Sequence, residues 1–266
     1  IVRIFFTIKN LSTSVGGAER VMSQIASALA ERNHEVTIAT FDSPSSSSFY
    51  PLSSKINFLK LTAIENQSRI NAFTFLQRIM LLRKAIADSN PDVVVGFMHS
   101  SFIMLAFASV FRSIPVVASE HIVITHYYSR PLDLFLYLAS HFFINRYTTV
   151  SEYALSGFPG FIRRKMHVIP NPVECKNTNN LLVNSQDIIL NVGRLEVQKD
   201  QETLIRSFQI VHQVYPHWKL HIVGSGSLQS YLNALVHDLH LDNFVIFKGN
   251  LKYVDDEYLQ ASIFVN

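Results

Sequence analysis

A single cysteine, Cys175, stands in a chain of 266 residues. No internal disulfide framework can form, and one thiol fits a reducing compartment. Glycine is scarce as well, at nine residues, so each is worth asking what turn it makes. No apolar run spans a bilayer: the longest candidate, Phe102 to Ala118, is broken by Arg112 and Pro115. Val2 to Ile8 is apolar but lacks the charged start and small-residue cleavage site of a signal peptide. The histidines form no metal pattern. His237 and His240 are spaced i, i+3 without a third ligand, so no metal site is expected. A P-loop, a Gly-x-Ser-x-Gly elbow and a catalytic-cysteine setting are all missing. So is the basic stripe with interleaved aromatics of a nucleic-acid binder, and no nucleic-acid partner is expected.

What is present is a foldable core. Hydrophobic residues make up 48% and charged residues 16%, which excludes a disordered chain. The net charge of +3 is uneven: through Val168 the balance is +6, and from Ile169 on it is −3. A basic first part suits an anionic surface or substrate. The chain opens on Ile1 and stops at Asn266 inside a strand pattern, so both ends read as cut.

Short apolar runs alternate with helical patterns. Val2 to Ile8, Glu35 to Phe41, Ile56 to Leu61, Asp92 to Phe97, Pro115 to Ser119, Tyr147 to Val150 and Met166 to Ile169 predict strands. Between them, Ala18 to Arg32, Ile70 to Ala87 and Pro131 to Arg146 carry helical periodicity. The tract from Pro170 to Ser185, with two prolines and a polar Asn/Thr/Ser run, reads as a linker. Alternation then restarts through strands Asp187 to Val192, Trp218 to Val223, Phe244 to Phe247 and Ser262 to Val265. Helices are expected over Gln201 to Tyr215, Leu228 to His240 and Asp255 to Ala261. The reading is α/β: two Rossmann-like, doubly wound parallel-sheet domains over 1–169 and 186–266, joined by linker 170–185, the second incomplete.

In open parallel sheets, ligands gather at the carboxyl ends of the strands. Six of the nine glycines fall at such junctions: Gly16, Gly17, Gly193, Gly224, Gly226 and Gly249. Gly16-Gly17-Ala18-Glu19 opens a helix and offers free N–H groups to an anion. It is not a Gly-x-Gly-x-x-Gly fingerprint. Arg194 and Lys199 lie between a strand end and the next helix, where two cations oppose the helix dipole. An anion between them would offset that, and a departing diphosphate is such an anion. The competing reading pairs them with Glu196 and Asp200. His121, in Ser119-Glu120-His121 at a strand end, could hydrogen-bond a sugar hydroxyl or stabilise a cationic transition state.

Together these residues resemble the retaining glycosyltransferases of family GT4, which have the GT-B fold of two domains facing a cleft. The motifs are Gly16-Gly17-Ala18-Glu19-Arg20, Ser119-Glu120-His121, Thr149-Val150-Ser151, Val168-Ile169-Pro170-Asn171-Pro172-Val173, Asn191-Val192-Gly193-Arg194-Leu195 with Lys199, and Val223-Gly224-Ser225-Gly226. Within the family the chain looks most like bacterial enzymes that build exopolysaccharide or lipopolysaccharide, the amylovoran-type galactosyltransferases. The resemblance implies an N-terminal acceptor-side domain and a C-terminal nucleotide-binding domain. It implies a hexose moved with retention from a nucleotide sugar, UDP-linked by family habit, to a glycan or lipid-linked acceptor, with no metal and no cofactor. His121, Arg194 and Lys199 would be catalytic. His121 would touch the transferred sugar near its anomeric centre; Arg194 and Lys199 would hold the diphosphate. Gly16, Gly17, Glu120, Asn171, Gly193, Gly224, Gly226 and Gly249 would line the donor and acceptor sites. The family's Glu-x7-Glu motif and C-terminal crossing helix are not matched, and Glu257 does not replace the motif. The chain by itself is therefore expected to bind donor weakly and to turn over nothing.

The expected location is cytoplasmic, peripheral on the anionic inner face of the membrane. Helices 70–87 and 131–146 carry cations among large apolar residues, as an interfacial helix does. Two other functions share the fold: a non-catalytic sugar-nucleotide-binding protein, and a sugar-nucleotide epimerase using Glu120 and Glu152.

Overall fold

A computed structural model describes residues 1–13, 16–61, 72–173 and 186–266. The chain divides into two compact units, Ile1–Glu174 and Cys175–Asn266. The expected linker falls largely on 174–185, outside the described residues.

The first unit contains β1 (Arg3–Thr7), α1 (Gly17–Glu31), β2 (Glu35–Thr40), β3 (Asn57–Lys60), α2 (Ala72–Ser89), β4 (Val93–Phe97), α3 (His99–Ala108) and β5 (Val116–Glu120). There follow α4 (Thr125–Tyr128), α5 (Pro131–Ser140), β6 (Arg146–Thr149), α6 (Glu152–Ser156), α7 (Gly160–Arg163) and β7 (Met166–Val168). Its strands form one parallel sheet in the order β3-β2-β1-β4-β5-β6-β7. The order reverses between β1 and β4, which opens a crevice at their carboxyl ends.

Helices cover both faces, as βαβ crossovers require. On one face α1 buries Val21, Met22, Ala26 and Ala30 against Ile4, Phe6 and Ile38. On the other, Leu82 and Ile86 of α2 join α3 and Tyr137 of α5 over Phe5, Val94 and Ala118. Each fully buried aliphatic side chain contributes about 1.5–3 kcal/mol.

Two segments differ from the sequence reading. The run from Phe102 contributes to α3, which is apolar all round because α2, α5 and the sheet enclose it, so it shows no amphipathic period. The helix expected over Pro131 to Arg146 stops at Ser140. A 3-10 turn, His141–Phe143, follows, and Arg146 already opens β6. Asn145 causes the stop. Its N–H donates to Val116 O at 2.9 Å and its side chain accepts from Val116 N at 2.8 Å, drawing the chain into the sheet.

The second unit contains β8 (Gln186–Val192), α8 (Gln201–Val214), β9 (Lys219–Val223), α9 (Gln229–Asp238), β10 (Val245–Gly249), α10 (Asp255–Gln260) and β11 (Ala261–Val265). Its four strands are parallel in the order β10-β9-β8-β11. Ile205 and Phe208 of α8 and Leu232 and Val236 of α9 pack on Leu220 and Ile222. Among the described residues no helix is long and apolar enough to cross a membrane.

Candidate functional site

At the carboxyl edge of the first sheet, β1 ends at Thr7 and α1 begins at Gly17. Gly16 is the extended N-cap residue, and a Cβ there would meet the carboxylate of Glu19. Glu19 thus folds back over the cap in the first turn, where its charge suits the helix dipole.

His121 follows β5 and stacks on Phe97 of β4, ring centroids 5.4 Å apart. Its Nε2 lies 3.0 Å from Ser119 Oγ, and Thr148 Oγ1 donates to that same oxygen at 3.1 Å. Ser119 Oγ can accept from Thr148 and still share a hydrogen bond with Nε2, whose direction follows the ring tautomer. Burial lowers the pKa of His121 below its ordinary value, favouring the neutral ring. Ser119, His121 and Thr148 share with Phe97, Pro170 and Asn171 a largely apolar cavity of about 270 Å³.

Glu120, expected as a ligand contact, borders the same cavity and is wholly buried. Oε2 accepts from Tyr127 OH at 2.7 Å and Oε1 accepts from Ile122 N at 3.0 Å. Burial pushes its pKa up to about 7, although these hydrogen bonds oppose the shift. A carboxyl held this way fixes the loop after β5, and hence the backbone of His121.

In the second unit Arg194 and Lys199 follow β8, and both are exposed. The sequence left open whether Glu196 and Asp200 neutralise them. Glu196 is engaged by Ser227, whose N–H donates at 3.0 Å and whose hydroxyl donates at 2.8 Å. Asp200 caps α8, accepting from Thr203 N at 3.5 Å. Neither cation makes an ion pair among the described residues. The Lys199 stem lies along Gly193, and its Nζ donates to Asn266 Oδ1 at 3.0 Å. Gln201 Nε2 donates to Arg194 O at 3.1 Å, and Asn191 Nδ2 donates to Val265 O at 3.0 Å. These bonds fix the turn beside the β8–β11 pair, where the strand order reverses.

The glycines here have a structural purpose first. Gly224 has φ +136°, and a Cβ on it would collide with Gly193 O. A Cβ on Gly226 would collide with the Leu195 backbone. The turns after β8, β9 and β10 are stacked: Gly193 N donates to Val223 O (2.9 Å), Leu195 N to Ser225 O (3.0 Å) and Gly224 N to Gly249 O (2.8 Å). Glu257 is tied to His221 at 3.2 Å and Lys248 at 3.3 Å. Sequence reasoning missed Thr148 and Tyr127, because only the pairing of β5 with β6 and the fold of the loop after β5 bring them to Ser119 and Glu120. Among the described residues no group of three or more His, Cys, Asp or Glu is placed to hold a metal ion.

Comparison with known proteins matches residues 15–177 to the family model "Glycosyltransferase Family 4" and residues 176–266 to "Glycosyl transferases group 1". A Campylobacter jejuni protein named as an α-1,4-N-acetyl-D-galactosaminyltransferase acting on a diNAcBac-PP-undecaprenol-linked GalNAc glycan is 26% identical. The match covers 99% of this chain and 72% of that protein. The amylovoran biosynthesis glycosyltransferase AmsD of Erwinia amylovora is 23% identical, over 98% of this chain and 73% of its own. Among solved structures, Anabaena HepE in complex with UDP and glucose superposes with a TM-score of 0.74 at 18% identity, covering 99% of this chain and 73% of that one. The two parallel sheets, read with these neighbours, are those of the GT-B fold, and the chain belongs to glycosyltransferase family 4.

Proposed function

We propose that this protein transfers a hexose, with retention, from a UDP-linked donor to a growing bacterial surface glycan, on a lipid-linked acceptor. The observation that carries the donor assignment is the pair Arg194 and Lys199, exposed at the carboxyl edge of β8 and without an ion pair among the described residues, Glu196 bonding Ser227 while still feeling the charge of Arg194, and Asp200 capping α8. On this reading the two cations receive the charge that develops on the diphosphate as its bond to the sugar breaks. No metal is then needed for that task. Gly193, Gly224, Gly226 and Gly249 form the main-chain floor under the nucleotide. In the first unit, the His121 ring contacts the sugar, Asn171 borders the same cavity, and Gly16 and Gly17 offer the α1 N-terminus to an anion.

The named relatives support this reading: one acts on an undecaprenol-linked glycan, another belongs to amylovoran biosynthesis, and HepE was seen with UDP and glucose. On this reading the protein works in the cytoplasm, at the inner face of the membrane. The test, on the full-length protein, is UDP release from a panel of UDP-hexoses, with the mass of the extended acceptor recorded. Arg194→Ala and Lys199→Ala should each lower turnover by about a hundredfold, equivalent to about 3 kcal/mol, without altering thermal unfolding. Near-native turnover in both variants would refute the diphosphate assignment.

A further inference from the structure

Among the described residues only two carboxylates are buried, Glu120 and Asp42. Glu120 borders the cavity of His121, and Asp42 does not. Asp42 stands just past the carboxyl end of β2 and is 4% exposed. Burying a carboxylate costs free energy unless donors meet it, so its donors indicate what it holds.

Those donors belong to the loop after β1. Asp42 Oδ2 accepts from Leu11 N at 2.8 Å, and Oδ1 accepts from Ser12 N at 3.2 Å and from the Ser12 hydroxyl. Successive main-chain N–H groups that converge on one anion form a nest, filled here by the chain's own carboxylate. Two bonds flank it: Phe41 N donates to Lys9 O at 2.9 Å and Phe49 N to Leu11 O at 2.8 Å. Leu11 itself is wholly buried in the core that α1 covers. The serine-rich connection after β2 is fixed in turn, since Lys60 Nζ of β3 donates to Pro44 O at 2.8 Å and to Ser46 O. The carboxyl ends of β3, β2 and β1 are thus linked in series.

The chain beyond Ser12 needs such a support. Gly16, four residues on, is the N-cap of α1 and makes no side-chain cap hydrogen bond, and Gly17 follows it. Glycine has the most backbone freedom to lose, and here no cap of their own orders the pair.

We propose that Asp42 is a positioning residue for transfer: its carboxylate holds Leu11 and Ser12 so that Gly16 and Gly17 meet the reactants in one geometry. Asp42 touches no reactant itself. The inference rests on the reading of Gly16 and Gly17 as part of the transfer site.

The full-length protein carrying Asp42→Asn tests it. The amide keeps the size of the carboxylate but turns an NH2 group toward donors. In transfer from the UDP-hexose that the wild type uses, kcat should fall at least about tenfold, while the donor KM stays within about twofold because Arg194 and Lys199 are untouched. Amide hydrogen exchange at Leu11, Ser12, Gly16 and Gly17 should quicken in parallel. Ser12→Ala, at a half-buried position, removes the hydroxyl alone and should lower kcat about threefold with native circular dichroism. Ile86→Val, in the core on the opposite face of the sheet, is the stability control and should leave kcat and that exchange unchanged. Near-native kcat in Asp42→Asn, a loss carried by the donor KM alone, or unchanged exchange would overturn the proposal. Should Asp42→Asn not fold, native kcat in Ser12→Ala overturns it. A wild type that released no UDP would refute the transfer reading instead, and the exchange would still decide whether Asp42 holds the loop.

Discussion

Glu120 makes the stability of the first unit depend on pH in a direction opposite to that of most carboxylates. Its pKa rises from 4.5 in the unfolded chain to about 7 in the folded one, because burial penalises the charged form. Between those values the folded state holds the proton and the unfolded state has lost it. Stability is therefore fully present below 4.5 and falls as pH rises through about 7. The shift corresponds to about 3 kcal/mol in all, most of which is lost between about pH 5 and pH 8. Glu120→Gln keeps an acceptor for Tyr127 and cannot ionise. The assay is urea unfolding of both proteins at the two pH values. Near-UV circular dichroism follows the first unit, where Tyr127, Tyr137 and Tyr147 are buried. Trp218, the one tryptophan, reports the second unit as an internal control. Comparing wild type with variant cancels the buried histidines His99, His121 and His141, whose lowered pKa values act with the opposite sign. A double difference under about 0.5 kcal/mol, or an equal change in the Trp218 transition, would refute the argument.

Two further substitutions separate architecture from chemistry. Gly224→Ala should destabilise the second unit by about 3 kcal/mol, through its positive φ and the clash with Gly193 O, read as an earlier Trp218 unfolding transition. Ser119→Ala removes the oxygen bonded to His121 Nε2, so nitrogen NMR should show a shifted Nε2 resonance; an unchanged spectrum would refute that hydrogen bond.

Much of the fold was legible because strand and helix periods differ. Every described strand falls where an apolar, β-branched run stands in the sequence, with ends displaced by one or two residues. The exceptions have physical causes. Helix α3 is enclosed on all sides and loses its amphipathic signature; the stop at Ser140 depends on Asn145 bonding to a strand distant in sequence. For the candidate site, sequence position placed His121, Arg194 and Lys199 at strand ends. It could not show that Glu120 is wholly buried, since adjacent residues at a strand end can face ligand or core. Nor could it show that Glu196 bonds Ser227 and Asp200 bonds Thr203, because these partners reach them only through tertiary folding and capping.

The stacked turns of the second unit bear on how such a protein can change. Their main chains are bonded to one another through Gly193, Leu195 and Gly224, so their shape depends little on which side chains project from them. Ser225 and Asn250 project into solvent from this layer. Exchanging them alters the chemistry offered at the surface without moving the backbone beneath. Substitutions at these two positions can therefore accumulate one at a time, each intermediate remaining folded.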